Sequence, residues 1–261
     1  PQFRSSAASD VYKRQINISD INGPLVEDST VDVTCNNDTD GRIFLTVTTQ
    51  PPGNVYGIDW DIDNFIGSVP DDLDGLQDSL IETELPPGVY FVRITDSTNG
   101  CVTLHSDTVF EPAALSVTAT KVQDVTCNGA ADGSISTAVT GGTTDYTYLW
   151  DDVSAQTTST AVGLAPGDYT VTVTDANNCA ETSGTVTITQ PDVLSVSATK
   201  VQDVQCFGAA DGSISTTVIG GTTDYTYLWD DASAQTTSTA VGLSPGDYTV
   251  TVTDANNCAE T

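Results

Sequence analysis

Methionine is absent from this sequence, histidine occurs once, and Lys+Arg number 7 against 36 Asp+Glu, for a formal net charge of -29. So few bases argue against nucleic acid or an anionic membrane as partner, since both reward clustered Lys and Arg. The acids read as a solvated, cation-attracting surface. The single histidine, His105, reads as a surface residue on a closing strand, and no Ser-His-Asp or Cys-His arrangement is available elsewhere in the chain. No G-x-S-x-G, P-loop or G-x-G-x-x-G string occurs. Adjacent acids such as Asp151 and Asp152 face opposite sides of an extended strand and cannot act on one bond. No stretch approaches the roughly 20 apolar residues that span a bilayer. The hydrophobic fraction of 38% is low for one large globule. It suits small sandwiches, whose strands need only one apolar face. These absences together point away from an enzyme.

What is present is repetition. Leu115–Thr182 recurs as Leu194–Thr261, and seven positions differ: Thr118/Ser197, Thr126/Gln205, Asn128/Phe207, Ala138/Thr217, Thr140/Ile219, Val153/Ala232 and Ala165/Ser244. A diverged copy lies upstream, marked by VTCNNDTDGRI (Val33–Ile43), DWD (Asp59–Asp61) and LPPGVYFVRITDSTNGC (Leu85–Cys101). The expected organisation is residues 16–112, 113–191 and 192–261 as three successive modules, the third lacking a closing strand equivalent to SGTVTITQP (Ser183–Pro191). Residues 1–15 stand apart. Ser5–Gln15 reads SSAASDVYKRQ, which resembles the in-frame translation of a transposase sequencing adapter and is set aside from fold reasoning. The chain thus reads as a piece cut at both ends.

Within a copy the hydrophobic period is two. Tyr169, Val171 and Val173 alternate with threonines, as do Val186 and Ile188, and Tyr146, Tyr148 and Trp150 share one face. Threonine is β-branched and polar, so it suits the solvent face of a pleated strand. Turn signals separate the runs: Ala131-Asp132-Gly133, Gly141-Gly142, Ala165-Pro166-Gly167 and Asn177-Asn178. Asp71–Leu85 is the one ambiguous stretch. Trp60, Trp150 and Trp229 end alternating runs like the buried Trp of immunoglobulin-like domains, and Tyr90, Tyr169 and Tyr248 resemble tyrosine corners. The expected fold is all-β: tandem immunoglobulin-like β-sandwich modules in an elongated beads-on-a-string array. Glu111-Pro112-Ala113 and Gln190-Pro191-Asp192 supply short, semi-rigid linkers.

Each copy carries two cysteines: Cys35 and Cys101, Cys127 and Cys179, Cys206 and Cys258. No Cys-x-x-Cys pair suggests zinc or thioredoxin-type chemistry. Recurrence of one pair per module suggests an oxidising compartment and a disulfide inside each module, against the alternative of thiols buried at loop bases. Strand parity decides the pairing. If an extra strand falls between Trp150 and Leu164, the two cysteines of a copy lie at opposite ends. Asp132, Asp175 and Asn177, with Asp211, Asp254 and Asn256, lie in loops beside the cysteines. They are candidate calcium ligands if those loops converge, or else plain turn formers.

The strings VTCNGAADGSI (Val125–Ile135), YTYLWDD (Tyr146–Asp152), GLAPGDYTVTVTDANNC (Gly163–Cys179) and VTITQP (Val186–Pro191) resemble the SprB repeat of giant surface adhesins in gliding bacteria. The resemblance covers nearly all of Leu115–Thr261 and, more weakly, Val31–Pro112. It implies export to the cell surface, display as filaments, and a part in adhesion or gliding, with no catalytic residues to carry over. Two other classes stay open: a module binding calcium or surface glycans, and an accessory region of a surface enzyme.

Overall fold

Alternating β-branched and polar residues bury one face per strand, and that pattern builds the whole described fold. The computed structural model describes residues 12–15, 24–48, 56–61, 81–98 and 100–261, and no helix occurs among them. The first copy contains β1 (Tyr12–Gln15), β2 (Leu25–Val31), β3 (Gly41–Thr48), β4 (Tyr56–Asp61), β5 (Ile81–Leu85), β6 (Gly88–Asp96) and β7 (Val102–Val109). The second contains β8 (Ser116–Gln123), β9 (Gly133–Thr140), β10 (Thr147–Trp150), β11 (Thr160–Leu164), β12 (Gly167–Tyr169), β13 (Val171–Thr174), β14 (Ala180–Thr182) and β15 (Val186–Ile188). The third contains β16 (Ser195–Gln202), β17 (Gly212–Ile219), β18 (Thr226–Trp229), β19 (Thr239–Leu243), β20 (Val250–Thr253) and β21 (Ala259–Glu260).

The sheets repeat from copy to copy. The first copy pairs β2-β3-β5 in one sheet and β4-β6-β7 in the other; the second pairs β8-β9-β11 and β10-β13-β14; the third pairs β16-β17-β19 and β18-β20-β21. In strand-letter terms these are an A-B-E sheet and a C-F-G sheet, the immunoglobulin-like arrangement. β1, which lies within the adapter-like segment, adds to the free edge of β2. The ambiguous stretch from Asp71 lies outside the described residues as far as residue 80, and its end, Ile81–Leu85, is β5.

The chain divides into two compact units that do not follow the repeat boundaries. One takes in the described residues up to Ser116 with Val139–Thr147 and Val173–Glu181; the other takes in Val117–Ala138, Tyr148–Thr172 and Thr182–Thr261. The second copy therefore contributes to both.

In the first unit, Ile43, Val92, Ile94 and Val109 are fully enclosed between the two sheets of the first sandwich, with Val26, Val33, Leu45, Ile58, Leu85 and Tyr90 completing the core. Trp60 packs half-buried against this core. His105 departs from the surface position expected of it. β7 alternates in and out, and the register that buries Val109 also turns His105 and Asp107 inward, beside Asp28 and Thr30. His105 Nε2 lies 3.6 Å from Asp28 Oδ2, and Thr30 Oγ1 donates to Asp107 Oδ2.

In the second unit, the third copy is built around Trp229, Ala240, Leu243, Val250 and Val252. The indole Nε1 of Trp229 donates to Thr237 O at 2.9 Å, so the ring's one polar group is satisfied where it is buried. Trp150 Nε1 does the same toward Thr158 O at 2.9 Å. Tyr90, Tyr169 and Tyr248 each donate their hydroxyl to the carbonyl four residues back, at Pro86, Ala165 and Ser244. In the second copy β12 pairs with β15 and Ile188 stands against Gly133. The equivalent place in the third copy is an open groove of ≈ 460 Å³, lined among others by Val204, Gly212, Leu243 and Tyr248. Gly246–Tyr248, the counterpart of β12, is correspondingly not a strand.

Candidate functional site: the joint between repeats

The loop geometry is decided after the tryptophan. In the third copy Trp229 N donates to Gln235 O, and Thr216 N, in the other sheet, donates to Ser238 O. The chain therefore turns back after β18 and crosses to the opposite sheet before β19. Asp231 holds this crossing, accepting Gln235 N at 2.9 Å and Ser233 N at 3.1 Å. The Gln235 side chain, then the backbone N–H groups, keep the Asp231 carboxyl below the ordinary carboxylate range. The crossing serves as the additional reversal that strand parity left open. β17 begins at Gly212 opposite Leu243, whereas β20 ends at Thr253 opposite Thr226. Cys206, just before β17, and Cys258, just beyond β20, thus lie at opposite ends of their sandwich. Cys35 and Cys101 are likewise separated by the length of β6, which starts near Leu85 and ends at Asp96.

The expectation of a disulfide inside each module is accordingly corrected. Cys35 of the first copy bonds Cys179 of the second, and Cys127 of the second bonds Cys258 of the third, each with Cα atoms 5.7 Å apart. The first cysteine of one copy is bonded to the second cysteine of the next. The reason is geometric: a disulfide needs Cα atoms within about 7 Å, and the two ends of one sandwich are much further apart.

Around the Cys35–Cys179 bond, Asn177 Nδ2 donates to Thr34 O at 2.9 Å and to Thr143 Oγ1 at 3.2 Å. Asp175 shapes the loop that carries Asn177 and Cys179. Its Oδ1 accepts both their backbone N–H groups at 2.9 Å, and Oδ2 accepts Thr143 N at 2.8 Å. On the opposing side, Asp40 accepts Thr34 N at 2.9 Å and Thr34 Oγ1 at 2.7 Å. The linker is tied in as well. Asn36 Nδ2 donates to Pro112 O, Asn37 N to Glu111 Oε2, Phe110 N to Asp32 Oδ1, and Gly142 N to Ala113 O. Gly141 has a φ of 70°, and a β-carbon there would stand 1.9 Å from Ala114 O, so only glycine admits the linker this closely.

The second joint repeats the first almost atom for atom. Asn256 Nδ2 donates to Thr126 O at 2.9 Å and Thr222 Oγ1 at 3.1 Å. Asp254 accepts Asn256 N and Cys258 N at 2.9 Å and Thr222 N at 2.8 Å. Burial opposes ionisation of Asp254, but the N–H donors of Thr222, Cys258 and Asn256 outweigh it and hold the carboxyl below its ordinary value. Asp132 accepts Thr126 N at 3.0 Å and also Thr126 Oγ1; these two bonds, side chain first, hold its carboxyl low. Asn128 Nδ2 reaches Pro191 O, Gly129 N reaches Gln190 Oε1, and Gly221 N reaches Asp192 O. Asp124 ties the same linker by accepting Thr189 N at 2.7 Å, and Lys121 beside it brings its carboxyl to about 2.

The arrangement separates the candidate calcium ligands of a single copy. In the third copy Asp211 bonds Gln205 N at one end, while Asp254 and Asn256 bond Thr222 at the other, so these three do not converge. The carboxylates of Asp132, Asp175 and Asp254 are occupied as acceptors of N–H donors. Calcium needs six to eight oxygens. Among the described residues no three His, Cys, Asp or Glu side chains form a metal-binding group. The acids clamp backbone N–H groups and so present one loop to another. Gly141-Gly142 and Asn128, read from sequence only as turn and loop residues, prove to be contact residues. For Asn128 the signal was the Asn128/Phe207 difference, directly beside Cys127.

The family model described as SprB repeat matches residues 119–155 and 198–234. No curated protein matches the chain. Among solved structures, the I-band fragment I67-I69 from titin is similar at 11% identity and a TM-score of 0.36, covering 89% of this chain and 94% of that one. A tetra-tandem repeat in the extending region of a large adhesion protein is similar at 14% identity, covering 91% and 79%, with a TM-score of 0.25. A Bacteroides ovatus protein, SGBP-B of the mixed-linkage glucan utilization locus, in complex with a mixed-linkage heptasaccharide, is similar at 18% identity, covering 86% and 60%, with a TM-score of 0.21.

Proposed function

We propose, for a chain that carries two SprB repeats, that it is a non-catalytic, load-bearing repeat region of a bacterial surface adhesin, serving as stalk or filament in adhesion or gliding. The observation that carries this reading is the pair of disulfides joining consecutive repeats. Both bonds fit an oxidising, extracellular setting. The partners in this reading are outside the cell, as surface glycans or other extracellular ligands.

The mechanical consequence follows from connectivity. A pull on the two chain ends reaches Cys35, crosses to Cys179, returns along the second copy to Cys127, and crosses to Cys258. Residues 36–126 and 180–257 lie outside this covalent path, and both linkers lie within those stretches. The linkers are thus shielded from tension while the disulfides are closed. In a chain-entropy treatment, closing a loop of 131 residues stabilises the joined state by about 5 kcal/mol. The hydrogen bonds around each joint set the register at which the bond closes.

Single-molecule pulling tests the reading directly. Oxidised chains should reach a fully extended length roughly a third of that reached after reduction, at about 3.5 Å per residue. Equal lengths with and without reductant would remove the mechanical basis of the proposal. Antibodies against residues 113–261 should label intact source cells; labelling only after lysis would remove the surface assignment.

A further inference from the structure

Cys206 stands in the third copy where Cys35 and Cys127 stand in the first two, and it is exposed and outside both disulfides. We propose that Cys206 is the acceptor for another repeat-to-repeat disulfide, and that its partner is the Asp-Ala-Asn-Asn-Cys loop of a repeat following the third copy.

The strongest argument is internal precedent. The equivalent residue is bonded twice in this same molecule, each time to that loop of the next copy. The third copy also carries the acceptor side ready made. Gln205 N donates to Asp211 Oδ1 at 3.0 Å, as Thr34 N does to Asp40 and Thr126 N to Asp132. Ala209 N donates to Cys206 O at 3.0 Å, matching the turns at Cys35 and Cys127. These bonds place the residue-205 backbone as its counterparts are placed where the Thr34 and Thr126 carbonyls accept an Asn side chain. The partner inside the same copy is excluded, because Cys258 is already bonded to Cys127. Two of the seven differences between the later copies, Thr126/Gln205 and Asn128/Phe207, flank this cysteine, and Phe207 is fully exposed.

Formation balances as two exchanges. The Cys206 thiolate attacks one sulfur of a disulfide oxidant, either a small disulfide or a disulfide oxidoreductase, and one thiolate leaves. The partner cysteine's thiolate then displaces the second. Two thiols are oxidised, one disulfide is reduced, and the protons pass to the released thiols. The inference rests on the tandem-repeat part of the proposed function and not on adhesion; it can stand if adhesion fails.

The test extends the chain by one repeat, appending the sequence of Ser183–Thr261 once more after Thr261. The product is folded in a glutathione redox buffer, alkylated without reduction, and mapped by peptide mass spectrometry. Cys206, exposed and expected to alkylate in the parent chain, should become protected and linked to the second cysteine of the added repeat. The added repeat's first cysteine should become the new alkylated thiol. Retention of the Cys127–Cys258 cross-link in the same map reports that the fold is intact. Continued alkylation of Cys206 with that cross-link present would overturn the proposal. So would a bond from Cys206 to the added repeat's first cysteine or to a second chain. Serine at the added repeat's second cysteine should return Cys206 to full alkylation; persistent protection would equally overturn it.

Discussion

Between the sheets of the first sandwich ten apolar side chains are buried, against five in the third, among the described residues. The first relies on many mid-sized residues and tolerates a half-buried Trp60, while the third concentrates its interior on one fully enclosed indole, Trp229. The first also encloses Asp28, Thr30, His105 and Asp107, and the third has an open groove where the second holds its closing strand. The difference shows how much one closing strand contributes to a small core. In the first sandwich β7 lends Val109 to the interior, and in the second Ile188 is buried in the same way.

Substitution of the tryptophans should split the first and third sandwiches most widely. Trp229→Ala removes the centre of the third core and should cost about 3–5 kcal/mol, abolishing its own melting transition. Trp60→Ala, starting from a half-buried ring, should cost distinctly less in calorimetry of the first sandwich. Equal losses would mean the cores are not organised differently. Next comes the open groove. A peptide of residues 183–191 should raise the third sandwich's melting temperature; at a hundredfold excess over its Kd the gain is about 2.7 kcal/mol. The first sandwich, with β7 already in place, should not respond.

Gly220→Ala tests the joint itself. With φ at 71° and Val193 O 2.0 Å from the added β-carbon, it should cost at least about 1–2 kcal/mol, read by thermal unfolding. It should also slow closure of the Cys127–Cys258 bond during oxidative refolding. The smallest expected effect is the pH response of the first sandwich. Burial lowers the His105 pKa below its ordinary 6.5, and the opposing charge of Asp107 only partly offsets this. Asp28 Oδ2 lies 3.6 Å from the ring's Nε2, and Thr30 donates to Asp107. A depressed pKa means the unfolded state binds the proton first, so this contribution is whole above pH 6.5 and is lost as pH falls toward the folded value. The first transition should therefore drop as pH falls below 6.5, and His105→Gln should flatten that fall. The later copies carry no histidine and should not share it.

The comparison also shows where sequence reading stops. The alternation of Tyr169, Val171 and Val173 and the Trp and Tyr positions announced a two-sheet body, because side-chain direction in a strand is a purely local property. His105 was misplaced because whether a strand's polar residue faces in or out depends on register with its neighbours. The disulfide pairing was misplaced because nine residues after Trp229, with no strand of their own, reverse the chain and exchange the ends at which two loops emerge. No periodicity marks such a crossing; only the hydrogen bonds at Gln235 and Ser238 do.

By itself, then, the order of residues determined the repeat, the strand period, the sandwich class and the fact that cysteines come two to a copy. Those features need only neighbours in sequence. Which cysteine meets which, which backbone groups Asp132 and Asp254 hold, and why Gly141 and Gly220 must lack a side chain were decided by tertiary structure. Each depends on loops from consecutive repeats arriving at one place, and that distance is set by how whole sandwiches are threaded.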